Sequence, residues 1–346
     1  MKQFKPKKLL AVLFAVILSV SMVLASCSPA EKPQTQTGTQ TQTGTEAPAV
    51  TEINIMTLKG PTGMGMAKMM KDNDAGKYTD KYNFTIAATP DQVNANLIKG
   101  ACDIAALPVN LASVLYSKMK GKIKIAALNT LGVMYLLENG NTINSVADLK
   151  GKTIYASGQA STPEYVLRYI LYENGIDPDK DVTIVWKADH TELTTLITAG
   201  EVDIAMLPEP NVTTALSGNS ALRIALDLND EWGKTTNGIT QAQGCIVVRS
   251  EFLDKHKDAV DAFLAAYKAS VEYTNSDTDG AALAIEEYGI VPKAALAKKA
   301  IPNCNICYID GDEMKTTVNK FLEILYAANV SSVGGSLPND DFFYKK

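Results

Sequence analysis

Cysteine and histidine are the residue types that most often hold metals or carry redox chemistry, and this chain has five cysteines and two histidines. Cys304 and Cys307 form a Cys-x-x-Cys pair, a spacing that occurs in zinc sites and redox motifs. A zinc ion would need two more ligands, and His190 and His256 lie far apart in the sequence. The pair is open to a local disulfide or reduced structural pair, to plain packing, or to redox or metal chemistry. We predict no metal and no cofactor.

A glycine-rich turn is the first segment that could bind a ligand through its backbone. Residues 59–65 read Lys-Gly-Pro-Thr-Gly-Met-Gly, between a run of strand character at 53–58 and a helical pattern at 66–71. A helix that starts here aims free N–H groups at whatever lies above the sheet, and glycine lets the backbone approach it closely. The spacing is not that of a P-loop. Ligand contact and a purely structural turn both remain open.

Glu209 is the most specific single candidate for binding. It follows the sequence Met-Leu-Pro and precedes Pro210, whereas Val109 stands at the matching place 100 residues earlier. One interpretation is a helix cap, with Pro210 at the first helical position and Glu209 exposed. The other is an acceptor for an amino group or a ring N–H group of a ligand.

The matching place exists because one stretch of the chain occurs twice. Residues 97–108 read LIKGACDIAALP and residues 196–208 read LITAGEVDIAMLP, so six identities recur with a shift of 100. Each copy is a helical pattern that stops at a glycine, a short apolar run, and then Leu-Pro. Proline cannot donate to a sheet ladder, so Pro108 and Pro208 should stand where a strand ends. Ligands bind at that end in open α/β sheets, which predicts two similar lobes around one cleft.

The N-terminus has the pattern of an export signal. Four lysines precede an apolar run at 9–24 and the sequence Leu-Ala-Ser-Cys, so residues 1–26 are predicted as a signal peptide that ends before a lipidated Cys27. A spanning anchor is the alternative, but the run is shorter than the roughly 20 residues that a membrane helix needs. Residues 27–50 are rich in Thr, Gln and Gly, which predicts a disordered tether. Without the leader the chain is acidic, which argues against a nucleic-acid partner.

The remaining residues predict two α/β units and a helical end. Strand and helix patterns alternate through 51–131, and a second set repeats them from about 139 to 240. The extended apolar runs at 132–138 and 243–249 are predicted to cross between the units. We therefore expect lobe 1 to comprise residues 51–131 and 244–346, with lobe 2, residues 132–243, inserted into it. The helical patterns after 257 should cover lobe 1.

These motifs together resemble the solute-binding proteins of bacterial ABC importers. The quoted segments are the Leu-Ala-Ser-Cys box, the threonine-rich tether, Gly-Pro-Thr-Gly-Met-Gly, the paired Asp-Ile-Ala-x-Leu-Pro units, Asp-Leu-Lys-Gly-Lys-Thr-Ile and Gly-Cys-Ile-Val-Val-Arg. The chain looks like the branch that includes nitrate, sulfonate, taurine and thiamine-precursor binders. That resemblance implies an α/β class with the two-lobed periplasmic-binding-protein type II fold, in which two parallel-type sheets are joined by two crossing strands.

The resemblance also implies a ligand held between the lobes by loops that follow the strands. Mapped onto this sequence, the ligand-binding residues are Gly60, Pro61, Thr62, Gly63, Met64, Pro108, Val109, Asn110, Asn129, Thr130, Gly158, Gln159, Ser161, Thr162, Pro208 and Glu209. These loops contain no arginine, the side chain that suits a strongly anionic ligand. We therefore expect a small neutral or zwitterionic organic ligand, such as a heterocycle or an amine.

The expected partners follow from the same resemblance. They are the small ligand, a membrane permease with its ATPase, and the membrane itself through a lipid such as palmitate at Cys27, with the protein a monomer on the extracytoplasmic face. One rival is an enzyme similar to those that make a thiamine pyrimidine, but the sequence shows no paired carboxylates, Ser-His pair or metal cluster, and only His190 lies near a cleft loop. The other rival is a ligand-sensing lipoprotein without transport.

Overall fold

The computed structural model describes residues 50–345. The predicted signal peptide, the lipidated Cys27 and nearly all of the predicted tether lie outside this range. The strands are β1 (Glu52–Leu58), β2 (Lys81–Ala87), β3 (Ile104–Pro108), β4 (Ile123–Leu131), β5 (Met134–Asn139), β6 (Thr153–Ser157), β7 (Thr183–Lys187), β8 (Ile204–Pro208), β9 (Leu222–Asp227), β10 (Ala242–Arg249) and β11 (Ile306–Ile309).

The helices alternate with these strands until β10 and then dominate the chain. They are α1 (Pro61–Met64), α2 (Ala67–Asp74), α3 (Pro90–Lys99), α4 (Val109–Lys118), α5 (Thr162–Glu173), α6 (His190–Ala199), α7 (Asn211–Gly218), α8 (Leu228–Thr235), α9 (Ser250–Lys255), α10 (Lys257–Ser276), α11 (Thr278–Glu287), α12 (Ala294–Ala300) and α13 (Gly311–Ala328). None of the helices in the described part of the chain is both long enough and apolar enough to cross a membrane.

Two mixed sheets share one topology. The six-stranded sheet has the order β11-β4-β10-β3-β1-β2, and the five-stranded sheet has the order β7-β6-β8-β5-β9. When the second order is reversed, β9, β5, β8, β6 and β7 take the places of β4, β10, β3, β1 and β2. Among these five matching places, the second is held in each sheet by a strand that runs antiparallel to both of its neighbours, β10 in the first sheet and β5 in the second. The predicted α/β class and two-sheet architecture are confirmed.

The repeated stretch forms the central strands β3 and β8. Gly100 and Gly200 end the preceding helices in the left-handed conformation, with φ of 73° and 74°, which a residue without Cβ adopts at little cost. Pro108 and Pro208 are the last residues of their strands, as predicted, and each pairs with the start of the antiparallel neighbour. The duplication thus places two equivalent strand ends, one per sheet.

The segments 132–138 and 243–249, predicted to cross between the lobes, form most of β5 and β10. Each of these strands lies within a single sheet. The chain itself passes between the sheets at Gly132 and Val133, and it returns through residues 236–241. We keep lobe 1 (residues 51–131 and 244–346) and lobe 2 (residues 132–243) as a proposed division. Both links are short, since the first comprises Gly132 and Val133 and the second comprises residues 236–241.

The C-terminal helices do more than cover lobe 1. The buried residues of α13 recur at helical spacing and join a hydrophobic cluster that also contains residues of α5 and α8. The ring of Phe321 lies 5.4 Å from that of Trp232 on α8. The prediction was therefore incomplete, because the apolar stripe of α13 is buried by elements of both lobes. The sequence reading also missed the short strand β11 and the helix α8.

Candidate ligand-binding site between the two sheets

The predicted loops all lie at the carboxyl ends of strands. The turn of Gly60 follows β1, Asn110 lies in the first turn of α4 after β3, Thr162 begins α5 after β6, and Glu209 follows β8. Because these strands occupy matching places in the two sheets, the same kind of helix start is presented by each lobe. Backbone N–H groups at such starts are free to bind acceptors.

The loops of the two lobes touch at two places. Asn110 Oδ1 accepts hydrogen bonds from the Thr162 N–H group at 3.2 Å and from the Thr162 hydroxyl at 2.9 Å, and both residues are fully buried. At the matching place, Gly60 faces Pro210, whose Cδ would lie 3.7 Å from a Cβ added to that glycine. One contact is polar and the other is apolar, so the two edges of the site are closed by different chemistry.

Two glycines of the glycine-rich turn are required by the local structure. Gly60 adopts a φ of 80° as the residue before α1, a conformation that side chains disfavour. A Cβ on Gly63 would overlap the backbone carbonyl oxygen of Leu58, so this glycine permits packing of α1 against its own strand. Met64 and Val109 are buried in hydrophobic clusters. Only their backbone is available to a ligand.

The end of β4 carries polar atoms without partners. Asn129 Nδ2 donates to the Thr62 carbonyl at 3.3 Å, but within residues 50–345 Asn129 Oδ1 and Thr130 Oγ1 have no hydrogen-bond partner although both are buried. Gln241 Oε1, on the returning link, is also buried and unpartnered in this range. Buried polar groups normally find partners. These atoms are therefore available to a bound molecule or to water.

The segment before α5 uses its polar side chains within the loop. Ser161 stands before α5, but its hydroxyl donates to the Gly158 carbonyl at 2.7 Å instead of capping the helix. Glu164 accepts from the Ala160 N–H group at 2.7 Å. Gly158 and Ala160 both have positive φ, so the loop folds back on itself. The Ser161 hydroxyl therefore bonds to a group of the same loop. Gln159, which lies between them, is exposed.

Glu209 combines parts of both interpretations. The cap interpretation expected Glu209 to be exposed, but only 1% of its surface is accessible. Its carboxylate accepts from the N–H group of Thr213 at 3.1 Å and from the Thr213 hydroxyl at 2.9 Å, as a cap would. Burial raises the pKa of Glu209, and the hydrogen bonds from Thr213 oppose that rise. None of the ion pairs within residues 50–345 includes it.

Residues around the links were missed by the sequence reading. The Tyr135 hydroxyl donates to the Asn303 carbonyl at 3.4 Å, and Asn305 Nδ2 donates to the Gly132 carbonyl at 2.5 Å. The Glu209 N–H group donates to the Val133 carbonyl at 3.0 Å. Amides and tyrosines spread over 170 residues carry no spacing signal, so the sequence offered nothing by which to find them.

A serine and a histidine do meet, contrary to the expectation that no such pair exists. Ser157 Oγ and His190 Nδ1 lie 2.5 Å apart, where β6 ends and α6 begins. Desolvation lowers the pKa of His190 to about 4, so the imidazole is neutral at pH 7. The neighbouring Asp189 caps α6 by accepting from Thr191 and Glu192, so its carboxylate is occupied away from the ring. The pair can bind hydrogen-bonding groups, but it lacks the oriented base of a nucleophilic triad.

The cysteine pair and the aromatic residues have structural roles. Cys304 and Cys307 are free thiols that pack into different hydrophobic clusters, so they do not form a disulfide. Tyr155 and Trp186 are half-buried and pack against hydrophobic clusters. Within the described residues, no group of three His, Cys, Asp or Glu side chains could hold a metal ion.

Comparison with known proteins shows which family and which solved structures this chain is similar to. A family model described as NMT1/THI5 like matches residues 87–281. Among curated proteins, no sequence matches the chain. The solved structure of an ABC transporter from Parabacteroides distasonis is 30% identical, covering 86% of this chain and 99% of that one, with a TM-score of 0.71.

More distant structures show the fold alone. The periplasmic aliphatic sulphonate binding protein SsuA of Escherichia coli is 15% identical, with 86% of this chain and 93% of that chain covered and a TM-score of 0.69. The periplasmic nitrate-binding protein NrtA of Synechocystis PCC 6803 is 13% identical, with 83% and 85% covered and a TM-score of 0.60. The predicted two-lobed type II periplasmic-binding fold is confirmed by these likenesses. Because the family model covers more than half of the sequence and a 30% identical relative spans most of it, this chain belongs to the NMT1/THI5-like family.

Proposed function

We propose that this protein is the extracytoplasmic solute-binding component of an ABC importer. It captures a small organic molecule between its two lobes, closes around it by rotation at the two links, and delivers it to a membrane permease with its ATPase. The observation that carries the proposal is the contact of Asn110 with Thr162, because it brings a helix start from each lobe together at one site. Closure of two domains around a ligand is an established switching mode.

Support for the transport role comes from the proteins that this chain resembles. The 30% identical structure is described as an ABC transporter, and the sulphonate-binding and nitrate-binding proteins share its fold. We further propose that Cys27 carries the lipid that holds the protein at the membrane and that it acts as a monomer. A lipid anchor suits a protein that must meet a permease repeatedly while remaining outside the bilayer.

The ligand that fits this site is neutral or zwitterionic and offers an amine or a ring N–H group. The predicted loops contain no arginine. Glu209 is buried and has no ion pair with any described residue, and the oxygens of Asn129 and Gln241 that have no partner in the same range are acceptors. A site that supplies acceptors and a carboxylate selects a ligand that supplies donors.

Capture of the ligand from a metabolite mixture tests the proposal. Purified protein is incubated with a cell extract, washed, and examined by native mass spectrometry to identify what it retains. We expect one or a few small amine-bearing molecules, with retention reduced at least tenfold by Glu209→Gln, since a hydrogen bond to a charged group is worth about 1.5–3 kcal/mol.

A matched control separates binding from capping. Thr213→Val removes one hydrogen bond to Glu209 without changing the charge, so it should retain ligand nearly as well as the original protein. Retention of sulfonates or nitrate in place of amines would contradict the proposed ligand class. Retention of nothing by a folded protein would count against solute binding itself.

A further inference from the structure

A row of polar side chains on α4 binds the C-terminal segment of the chain. Asn110, Ser113 and Ser117 lie on one face of this helix because they are three and four residues apart. Asn110 Nδ2 donates to the carbonyl of Ser332 at 3.2 Å, the Ser113 hydroxyl donates to that of Val333 at 2.8 Å, and Ser117 donates to the next carbonyl at 3.3 Å. Three successive carbonyls are thus held by one helix face.

This row fixes the orientation of the Asn110 amide. A backbone carbonyl can only accept, so the group that faces Ser332 must be the Nδ2 donor. The opposite atom, Oδ1, then points at Thr162, the first residue of α5, and accepts from both its N–H group and its hydroxyl. Asn110 and Thr162 are fully buried, and Ser332 is nearly so. The amide therefore satisfies three groups that would otherwise be buried without partners.

The contact joins parts of the chain that are far apart in sequence. Asn110 lies in the first turn of α4 in lobe 1, Thr162 begins α5 of lobe 2, and Ser332 lies in a 3-10 helix, Val330–Val333, that follows α13. The aromatic contact of Phe321 on α13 with Trp232 on α8 bridges the same two lobes. The C-terminal segment is thus positioned to hold lobe 1 and lobe 2 together at this edge.

We propose that Asn110 is a positioning residue that clasps the two lobes together without a ligand, with its orientation set by the C-terminal segment. We call the hydrogen bonds of Asn110 to Thr162 and Ser332 the Asn110 clasp. The clasp takes both donors of Thr162, so an acceptor group of a ligand finds neither of them free at this end of α5. It makes the Asn110 edge a side of the cleft that is held by hydrogen bonds, whereas the contact of Gly60 with Pro210 at the other edge is apolar.

The clasp can be tested in the ligand-free, full-length protein, so its outcome is independent of the proposed function. Spin labels are placed on exposed sites of the two lobes, and the distance between them is measured by pulsed electron resonance. We expect a single short distance in the original protein. Loss of the two hydrogen bonds between Asn110 and Thr162 should move the equilibrium toward open forms by about tenfold.

Three variants of the clasp and one control make the test specific. Asn110→Ala and Thr162→Val should each add a population at longer distance, and Thr162→Ser, which restores the hydroxyl, should return the short distance. Ser113→Ala is the matched control, because it removes a bond of the same row without touching lobe 2, and it should leave the short distance unchanged.

The double variant Asn110→Ala with Thr162→Val gives the decisive comparison. If the two side chains act through each other, the double variant should open no further than the more open single variant. Additive opening would overturn the proposal, and so would an unchanged distance in Thr162→Val. Valine has nearly the shape of threonine, so the Thr162 variant reports on the clasp even if Asn110→Ala does not fold.

Discussion

Replacing Glu209 with glutamine should stabilise the ligand-free protein at neutral pH while weakening its binding of ligand. The carboxylate is buried with no cation in an ion pair, and burial raises its pKa. Its ionised form is therefore less favourable in the folded protein than in the unfolded chain. Glutamine has almost the same shape, accepts from the Thr213 N–H group, and can donate to the Thr213 hydroxyl, so both local contacts have a counterpart.

The size and sign of the effect follow from linkage between proton binding and folding. Each unit by which the folded pKa exceeds the unfolded value costs about 1.4 kcal/mol of stability once the group is ionised. Because the pKa of Glu209 is raised, the stability that this residue contributes is present below the unfolded pKa and lost as the pH rises through the folded pKa. A gain on the order of 1 kcal/mol for Glu209→Gln at pH 7 would raise Tm by about 2 °C in a domain of this size.

Thermal melts from pH 4 to pH 8, beside titration calorimetry with the captured ligand, measure both effects. We expect the Tm difference between variant and original protein to be near zero at pH 4 and to grow toward pH 7, while affinity falls at least tenfold. If the carboxylate destabilises the folded protein but is needed for ligand binding, its replacement raises Tm and lowers affinity. A variant that is less stable at pH 7 and binds equally well would refute the reasoning and leave Glu209 as an anionic cap.

Three other predictions concern Gly63, the pair of Glu138 with Arg223, and the proposed lipid anchor at Cys27. Gly63→Ala should lower the free energy of unfolding by about 3 kcal/mol in denaturant titrations, because its Cβ would overlap a carbonyl of β1. Gly233→Ala, whose Cβ would meet no atom, should change stability by less than about 1 kcal/mol, and equal losses would show that the overlap is not the cause. Burial acts to raise the pKa of Glu138, but local hydrogen bonds and Arg223 outweigh burial and hold this pKa below its usual value. The stability that Glu138 supplies is therefore lost as the pH falls through the pKa of the folded protein. Arg223→Leu should therefore cost about 2 kcal/mol at pH 7 and less in acid, and a loss independent of pH would contradict this. Cys27→Ala should release the protein from membranes into the soluble fraction, and a variant that still sediments with membranes would exclude the lipid anchor.

The sequence alone determined the architecture because its signals were local or repeated. The two Gly-to-Pro stretches predicted matching strands, and these strands are the central ones of both sheets, ended by Pro108 and Pro208. Glycine at a helix end and proline at a strand end are dictated by the backbone of a few neighbouring residues. Such rules can be read from a printed chain without knowledge of the fold.

The sequence also indicated where a site should lie, through the rule that ligands bind at strand ends, but not how its residues behave. Glu209 was singled out by its place in the repeat, whereas its burial depends on residues from other segments. Ser157 and His190 lie 33 residues apart and met only because β6 and β7 are adjacent strands. Side-chain neighbours of this kind are set by how strands are ordered in the sheet.

Only the tertiary structure decided the contacts between the lobes. Asn110, Thr162 and Ser332 are separated by 52 and 170 residues, and nothing in the types Asn, Thr and Ser marks them as partners. The helical pattern at the C-terminus predicted α13, but its apolar stripe could not say that two lobes would share it. Periodicity records which face of an element is buried, while the identity of what buries it depends on packing between distant parts of the chain.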